Sequence, residues 1–325
     1  MKDNVILEVK NVEKFFYGNK KLFQKDRPVV KAVNNVSFTI NEGETFGIVG
    51  ESGCGKSTLG RTVIRLLNPT NGQVIYKGTD LATLSGEEMR KLRQEIQIIF
   101  QDPYASLNPR MTVRELIQAP LDVYSHESEA EKLAKVKNIM AKVGLREEYM
   151  SKYPHEFSGG QRQRVGIARA LALNPEFIVC DEPISALDVS IQAQVVNMLM
   201  KFQRELGLTY LFIAHDLSMV RHIADETAVM YLGTMVEYGP TEEVYGHPAH
   251  PYTQGLLSAV PVADPDYEKT HHRIPMEGEV PSPIDPKPGC RFCGRCPRAT
   301  EQCRTQTPAP KDLSGGHFAA CHHLD

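Results

Sequence analysis

The feature that most constrains the fold is a glycine-rich loop between an apolar run and a helical pattern. The apolar run spans residues 45–49, the loop reads Gly-Glu-Ser-Gly-Cys-Gly-Lys-Ser-Thr over 50–58, and the helical pattern follows over 59–67. Glycines let such a loop turn its backbone N–H groups inward, where they form an anion site with a helix N-terminus. A merely flexible turn would not require the Lys-Ser ending. The sequence therefore predicts a phosphate-binding loop.

The residue types in this loop have separate chemical roles. Lys56 is expected to reach the terminal phosphates of a nucleotide, and the hydroxyl of Ser57 is expected to bind Mg²⁺. The residues predicted to contact the nucleotide are consecutive along the chain: Gly50, Glu51, Ser52, Gly53, Cys54, Gly55, Lys56, Ser57 and Thr58.

A buried strand that ends in two acids is predicted further along the chain. The four apolar residues at 177–180 are typical of a parallel strand buried on both faces, and Asp181 and Glu182 follow them. Ligands of α/β sheets collect outside the carboxyl ends of the strands, where the phosphate loop is also expected. We therefore expect Asp181 to hold Mg²⁺ and Glu182 to orient and polarise an attacking water. A structural ion pair is the alternative for either acid.

A second glycine element, Ser-Gly-Gly-Gln at 158–161, opens another helical pattern over residues 162–173. Taken alone, it is explained equally well as a helix N-cap followed by a turn, because Ser is among the preferred N-cap residues. The functional alternative is a second anion site, which the neighbouring motifs favour.

In type and order these motifs resemble the ATP-binding cassette (ABC) family, from about residue 5 to the C-terminus. Residues 50–57 match the Walker A loop of the family, and residues 177–181 match its Walker B strand, which places Glu182 at the catalytic base position. Residues 158–161 match the family signature, with Phe157 in place of the more usual Leu.

Three further motifs follow the same family order. Gln101 matches the Q-loop, residues 185–188 match the D-loop, and His215 matches the switch histidine. Outside this order, a Gln or His after a strand is more often solvated or structural. The resemblance implies three catalytic residues: Glu182, His215 and Gln101. It implies three Mg²⁺ ligands: Ser57, Gln101 and Asp181.

The resemblance also implies contacts to ATP outside the phosphate loop. Phe16 aligns with the aromatic residue that stacks on adenine in the family, with Phe15 as the fallback and core packing as the alternative for both. The implied ATP contacts outside the loop are Phe16, Asp181, Ser158, Gly159, Gly160, Gln161 and Asp188.

The implied fold class is α/β, a P-loop NTPase of the ABC nucleotide-binding type with an antiparallel β subdomain and a helical subdomain. Alternating patterns predict the first strands at 6–12, 29–40 and 73–77, and the helical subdomain is expected at about 104–160. The expected domains are an ATP-binding domain at 1–245 and a Cys-rich C-terminal extension at 246–325.

Composition excludes several classes of protein. The net charge is −3 and the chain has no basic tract, so no nucleic-acid partner is expected. No apolar run approaches the ~18 residues of a membrane helix, and the start of the chain lacks the apolar core of a signal peptide. We therefore expect a cytoplasmic chain whose membrane-spanning partners, if it serves a transporter, are other polypeptides.

The C-terminal region narrows the resemblance. His-Pro-Ala-His-Pro-Tyr-Thr at 247–253 and the proline-rich stretch after it resemble the extension of the oligopeptide, dipeptide and nickel importer ATPases, most nearly the F-type subunit. This implies a peripheral ATPase subunit at the cytoplasmic face of the membrane, paired as a heterodimer with a D-type ATPase. The further implied partners are two transmembrane permeases and, indirectly, an extracellular peptide-binding protein.

Five of the seven cysteines lie near the C-terminus, whereas Cys54 and Cys180 are expected to be packing thiols. In a reducing compartment a cysteine cluster indicates metal ligands rather than disulfides. Both iron and zinc are open as the metal, and a zinc site could include His317, His322 or His323. A metal-free tail is the further alternative. The resemblance implies a [4Fe–4S] cluster held by Cys290, Cys296, Cys303 and Cys321. Cys293 is then not a ligand.

Other functional classes explain the sequence less well. A P-loop GTPase or small-molecule kinase would not account for residues 158–161, and no Asn-Lys-x-Asp motif is present. A soluble, non-transport ABC ATPase would not carry the extension at 247–253. Within the importer group, nickel or another cargo remains the alternative to peptides, because other subunits select the cargo.

Overall fold

The computed structural model describes residues 4–19, 27–261 and 273–324. The first three residues, at the start where no signal peptide is predicted, lie outside this description. The chain forms two compact units. The first comprises Thr83–Ala214 with Asn41–Glu44 and the described Asn4, and the second comprises the described parts of Val5–Ile40, Thr45–Ala82 and His215–Asp325.

Both units combine strands with helices. In chain order, the strands are β1 Val5–Tyr17, β2 Val29–Asn41, β3 Thr45–Val49, β4 Asn71–Tyr76, β5 Thr79–Asp80, β6 Ile96–Ile99, β7 Phe177–Asp181, β8 Thr209–Ile213, β9 Glu226–Tyr231, β10 Thr234–Pro240, β11 Lys311–Asp312 and β12 Phe318–Ala319. The α-helices are α1 Lys56–Val63, α2 Gly86–Leu92, α3 Pro103–Ser106, α4 Val113–Tyr124, α5 Glu129–Lys142, α6 Gly159–Leu171, α7 Val189–Leu206, α8 Leu217–Ile223, α9 Thr241–Gly246, α10 Pro251–Ser258 and α11 Glu301–Thr305.

The first unit contains three parallel strands, with β7 between β6 and β8. Every residue of β7 and β8 is buried. For β7, this is what the apolar run at 177–180 predicts for a strand covered on both faces. Asp181 is the last residue of β7 and Glu182 follows it, and Gln101 lies just after the carboxyl end of β6.

Three helices of the first unit, α4, α5 and α6, contact one another. Each begins with a capping box, in which the N-cap hydroxyl accepts the N–H of the third helical residue, and the side chain of that residue accepts the N-cap N–H. The three pairs are Thr112 with Glu115, Ser128 with Glu131, and Ser158 with Gln161. Short hydrogen-bonding patterns in the sequence thus fix where these helices start.

The long helix α7 differs in part from its predicted packing. Apolar residues at helical spacing over 190–206 predict one buried face, which carries Ile191, Val195, Leu199, Phe202 and Leu206. Of these, Val195, Leu199 and Phe202 are buried, whereas Ile191 is only half-buried. Leu206, predicted on the same face, is 44% exposed because it is the last residue before the helix ends at Gly207, which has a φ of 68°. The buried face therefore ends a turn earlier than its apolar pattern.

The second unit contains two groups of strands. β3, completely buried, pairs in parallel with β9, and β10, β12 and β11 continue from β9 in antiparallel order. A separate sheet has the order β2-β1-β4-β5 and contains the strands predicted near the N-terminus. The phosphate loop follows β3 directly, as the sequence predicts.

A buried carboxylate attaches the C-terminal region to this unit. Glu237 on β10 accepts the backbone N–H groups of Ala249 at 2.7 Å and His250 at 2.8 Å, and its Oε1 lies 2.7 Å from Nε2 of His317. Burial lowers the pKa of His250 to about 4, so its neutral ring can accept the Tyr252 N–H at the start of α10. The His-Pro-Ala-His-Pro-Tyr motif therefore has a structural role in folding this region.

None of the helices within residues 4–19, 27–261 and 273–324 combines the length and the apolar character that crossing a membrane requires.

Candidate functional site

The phosphate loop, residues 50–55, connects β3 to α1 in a conformation that requires glycine. Gly55 has a φ of 106°, and a Cβ there would lie 2.0 Å from the carbonyl oxygen of Ala32. A Cβ on Gly50 would lie 2.2 Å from the carbonyl oxygen of Met230. No side chain caps the start of α1, so its first N–H groups are suited to an anion. The loop therefore fits a nucleotide phosphate chain.

Lys56 lies beneath this loop and is only 3% exposed. Its Nζ donates to the carbonyl oxygens of Gly50 at 2.7 Å and Glu51 at 3.1 Å. These bonds hold the ammonium group at the loop, where its N–H groups can also donate to phosphate oxygens. The neighbouring Cys54 is buried, which raises the pKa of its thiol and agrees with the predicted packing role.

The acidic end of β7 forms a second group of functional residues, in the first unit. Asp181 is completely buried, and Glu182 directly after it adopts a φ of 47°, a conformation that costs energy for a non-glycine residue. Gln101 Nε2 donates to Glu182 Oε2 at 2.7 Å. The structure thus joins two of the predicted catalytic residues directly, and the Gln101 amide fixes the orientation of the Glu182 carboxylate.

The Ser-Gly-Gly-Gln element begins α6. Ser158 is its N-cap: its Oγ accepts the Gln161 N–H at 3.4 Å, and its own N–H donates to Gln161 Oε1 at 3.0 Å. The N-cap explanation of the element is therefore correct. It does not exclude a ligand role, because Ser158 is exposed on the surface. A Cβ on Gly160 would lie 2.6 Å from Ile191, so that glycine is required for packing.

The remaining predicted residues are accessible. Asp188 is exposed at the start of α7 and its side chain makes no capping hydrogen bond, and His215 is exposed after Ala214. Phe16 is 41% exposed, which contradicts the core alternative for this ring, and Lys14 Nζ lies 5.3 Å from its centre. These side chains are therefore available to a ligand.

The residue types present also fit Mg²⁺. Hydroxyl, amide and carboxylate oxygens are the ligands that this ion prefers, and Ser57, Gln101 and Asp181 supply one of each. In the described parts of the chain, by contrast, no three His, Cys, Asp or Glu side chains converge as they would around a protein-bound metal ion.

The cysteine region gives no support to the iron–sulfur prediction. The N–H of Cys290 donates to the carbonyl of Cys303, and Cys303 Sγ lies 3.4 Å from Nε2 of His323. Two of the three histidines considered for zinc have other partners: His317 bonds to Glu237, and His322 Nε2 lies 3.0 Å from the carbonyl of Gln306. Because no three such side chains converge in the described residues, neither a four-cysteine cluster nor a zinc site gains support from the structure.

Two residues that sequence reasoning missed contact the phosphate loop. The hydroxyl of Tyr252 accepts the N–H of Glu51 at 3.0 Å, and Arg295 Nη1 donates to the Glu51 carboxylate. Tyr252 lies in the motif that marks the extension, but its position gave no signal of this contact. No pattern in the sequence singles out Arg295.

Comparison with known proteins agrees with these observations. Residues 33–185 match the model of the ABC transporter family, and residues 236–303 match that of the oligopeptide/dipeptide transporter C-terminal region. The oligopeptide transport ATP-binding protein AppF of Bacillus subtilis is 54% identical over 98% of this chain and 97% of its own length.

Solved structures show the same fold. The ATP-binding cassette MJ0796, a dimer bound to ADP and phosphate, is 30% identical, with a TM-score of 0.65 over 72% of this chain and 98% of that one. CbiO1 of Clostridium perfringens, part of an ABC transporter complex, is 28% identical, with a TM-score of 0.64 over 75% of this chain and 92% of that one. The α/β P-loop NTPase fold predicted from the sequence is therefore confirmed. Its loop geometry and its relatives together place this chain in the family of ABC transporter ATP-binding proteins of the oligopeptide and dipeptide importers.

Proposed function

We propose that this chain is the ATP-hydrolysing subunit of a peptide importer, in which ATP binding and hydrolysis drive transmembrane permease subunits from the cytoplasmic face of the membrane. The phosphate loop is the observation that supports this proposal. Two carbonyl oxygens of the loop accept hydrogen bonds from Lys56, so the loop offers a triphosphate both a cation and uncapped helix N–H groups. The proposed domains are residues 1–245 for ATP binding and 246–325 for the extension.

Each residue of the site has a proposed task. Gly50 to Thr58 hold the phosphates, Phe16 stacks on the adenine, and Ser57, Gln101 and Asp181 hold Mg²⁺, which would neutralise phosphate charge. Glu182 accepts a proton from the attacking water, and Gln101 orients its carboxylate through the 2.7 Å hydrogen bond. His215 positions the water or the γ-phosphate.

A groove on the first unit is the proposed docking site of a permease. It has a volume of about 640 Å³ and is referred to here as the α4 groove. Its lining residues are Met111, Thr112, Arg114, Glu115, Gln118, Asp122, Met150 and Ser151. Methionines adapt to an apolar helix face, and the charged rim can bind its polar face. Gln118 Nε2, which donates to Asp122 and Glu129, orders this rim.

Met150→Glu tests the α4 groove and the importer function together. Placing a charge in the groove should lower peptide uptake by the reconstituted importer, and the stimulation of ATP hydrolysis by the permeases, by about tenfold or more. ATP affinity of the free chain should not change. Ala141→Glu, which adds the same charge at an exposed position of α5, is the matched control. Normal uptake by the correctly folded Met150→Glu chain would exclude the groove as the docking site.

The proposed ATPase partner is a related D-type subunit, so that each chain contributes Ser158 to Gln161 to the ATP site of the other. Exposed Ser158 and Asp188 suit such an interface, and so does Val189, which is 74% exposed although it is apolar. Mass analysis of the purified importer distinguishes one copy of this chain with a related subunit from two identical copies.

The iron–sulfur cluster is proposed on the resemblance alone, and the proposed ATP binding and hydrolysis do not depend on it. If it is correct, anaerobically purified protein is brown and holds about four irons per chain. Cys290→Ser should then lose the iron and Cys293→Ser should retain it. Iron-free, colourless protein, or protein with one zinc per chain, would show that the resemblance misleads in this region.

A further inference from the structure

The second residue of the phosphate loop is bound by an arginine from the C-terminal region. Arg295 Nη1 donates to both carboxylate oxygens of Glu51, at 3.1 Å to Oε1 and 2.9 Å to Oε2. The Arg295 side chain is 8% exposed and that of Glu51 is 25% exposed. Because water screens this pair poorly, its loss would leave a partly buried carboxylate without its cation.

The segment that carries Arg295 is fixed by aromatic packing. Phe292 is 1% exposed, and the centre of its ring lies 5.3 Å from that of Tyr231 and 5.4 Å from that of Tyr252. The N–H of Arg295 donates to the carbonyl of Phe292 at 2.9 Å, which ties the arginine backbone to this anchor. Arg295 therefore meets Glu51 from a rigid support.

Glu51 is held at three points. Its carboxylate binds Arg295, its N–H donates to the Tyr252 hydroxyl at 3.0 Å, and its carbonyl accepts from Lys56 Nζ at 3.1 Å. The first two contacts come from the C-terminal region, and the third joins Glu51 to the lysine expected to bind phosphate. A shift of Glu51 would therefore move an oxygen that positions Lys56.

We propose that Arg295 is a positioning residue of the ATP site, through which the C-terminal region holds the phosphate loop in its binding conformation. The inference rests on ATP binding at this loop and goes beyond it, because it gives the extension a direct part in nucleotide affinity. Arg295 itself acts through Glu51. Its effect should fall on ground-state and transition-state binding alike, since it holds the loop without touching the reacting groups.

Arg295→Met, which keeps the length of the side chain and removes its charge, is the direct test in the full chain. We expect Kd for ATP, measured by calorimetric titration, and KM for hydrolysis to rise about tenfold, with kcat within about twofold of wild type. Arg295→Lys should recover part of the affinity. Arg298→Met, at an exposed arginine three residues along, is the matched control and should bind ATP as wild type does.

A double-mutant cycle with Glu51→Gln shows whether Arg295 acts through Glu51. The two single variants should weaken ATP binding equally, and the double variant should be no weaker than either. An unchanged Kd in the folded Arg295→Met chain, or effects that add, would overturn the proposal. If Arg295→Met fails to fold, Glu51→Gln alone tests it, since its Kd should rise by the same factor. If wild type binds ATP and Lys56→Ala does not, the ATP site itself is established. A failure of the Arg295 proposal is then distinct from a failure of the ATPase function.

Discussion

Glu182→Gln will slow ATP hydrolysis by about 10²–10⁴-fold while ATP binding is retained. Glutamine keeps the shape of the side chain but cannot accept a proton from the attacking water, so the loss falls on kcat. The structure adds a reason for a large effect, because the position of this side chain is well defined. Gln101 Nε2 donates to Glu182 Oε2 at 2.7 Å, and the Glu182 backbone has a φ of 47°. Single-turnover hydrolysis and equilibrium ATP titration measure the two quantities.

The control for this substitution is Glu205→Gln, at an exposed carboxylate near the end of α7 in the same unit. Its turnover should equal that of wild type. If Glu182→Gln hydrolysed ATP at the wild-type rate, Glu182 would not be the base, and its strained backbone would need another explanation.

Lys56→Ala will remove most of the affinity for ATP. The ammonium group offers charge-assisted hydrogen bonds to the phosphates, and losing them should cost about 3 kcal/mol or more, which is a hundredfold or more in Kd. The comparison is an equilibrium titration of ATP against the full-length wild-type and variant chains.

Lys56 also bonds to Gly50 and Glu51, so the fold of the variant is checked by thermal unfolding without nucleotide. Lys311→Ala, at an exposed lysine of β11 in the same unit, is the control and should bind ATP normally. A Lys56→Ala chain that folds and binds ATP with unchanged affinity would place the nucleotide elsewhere.

Features encoded in short stretches of sequence were predicted well. The strand before the phosphate loop, the acidic strand β7 and the start of α6 all lie where the sequence predicts them. Each depends on residues a few positions apart: glycines with positive φ, apolar runs buried on both faces, or a Ser and a Gln that cap the same helix end. The cysteine pattern stays a prediction, because spacing along the chain does not by itself determine a set of metal ligands.

Long-range contacts could not be predicted in this way. Gln101 and Glu182 each had a predicted role, but their hydrogen bond joins residues 81 positions apart. Leu206 follows the apolar period of α7 and is nevertheless exposed, because burial at a helix end depends on what lies beside it. Neither fact follows from local propensity.

The sequence by itself determined the phosphate loop, the acidic strand and the family, since these depend on local backbone geometry and on the order of the motifs. Only the tertiary structure decided what surrounds Glu51. Its partners Tyr252 and Arg295 lie 201 and 244 residues away along the chain. Packing of Phe292 against Tyr231 brings them to the loop. Contacts of this kind arise from the path of the whole chain and from the burial of side chains distant in sequence, which no local pattern records.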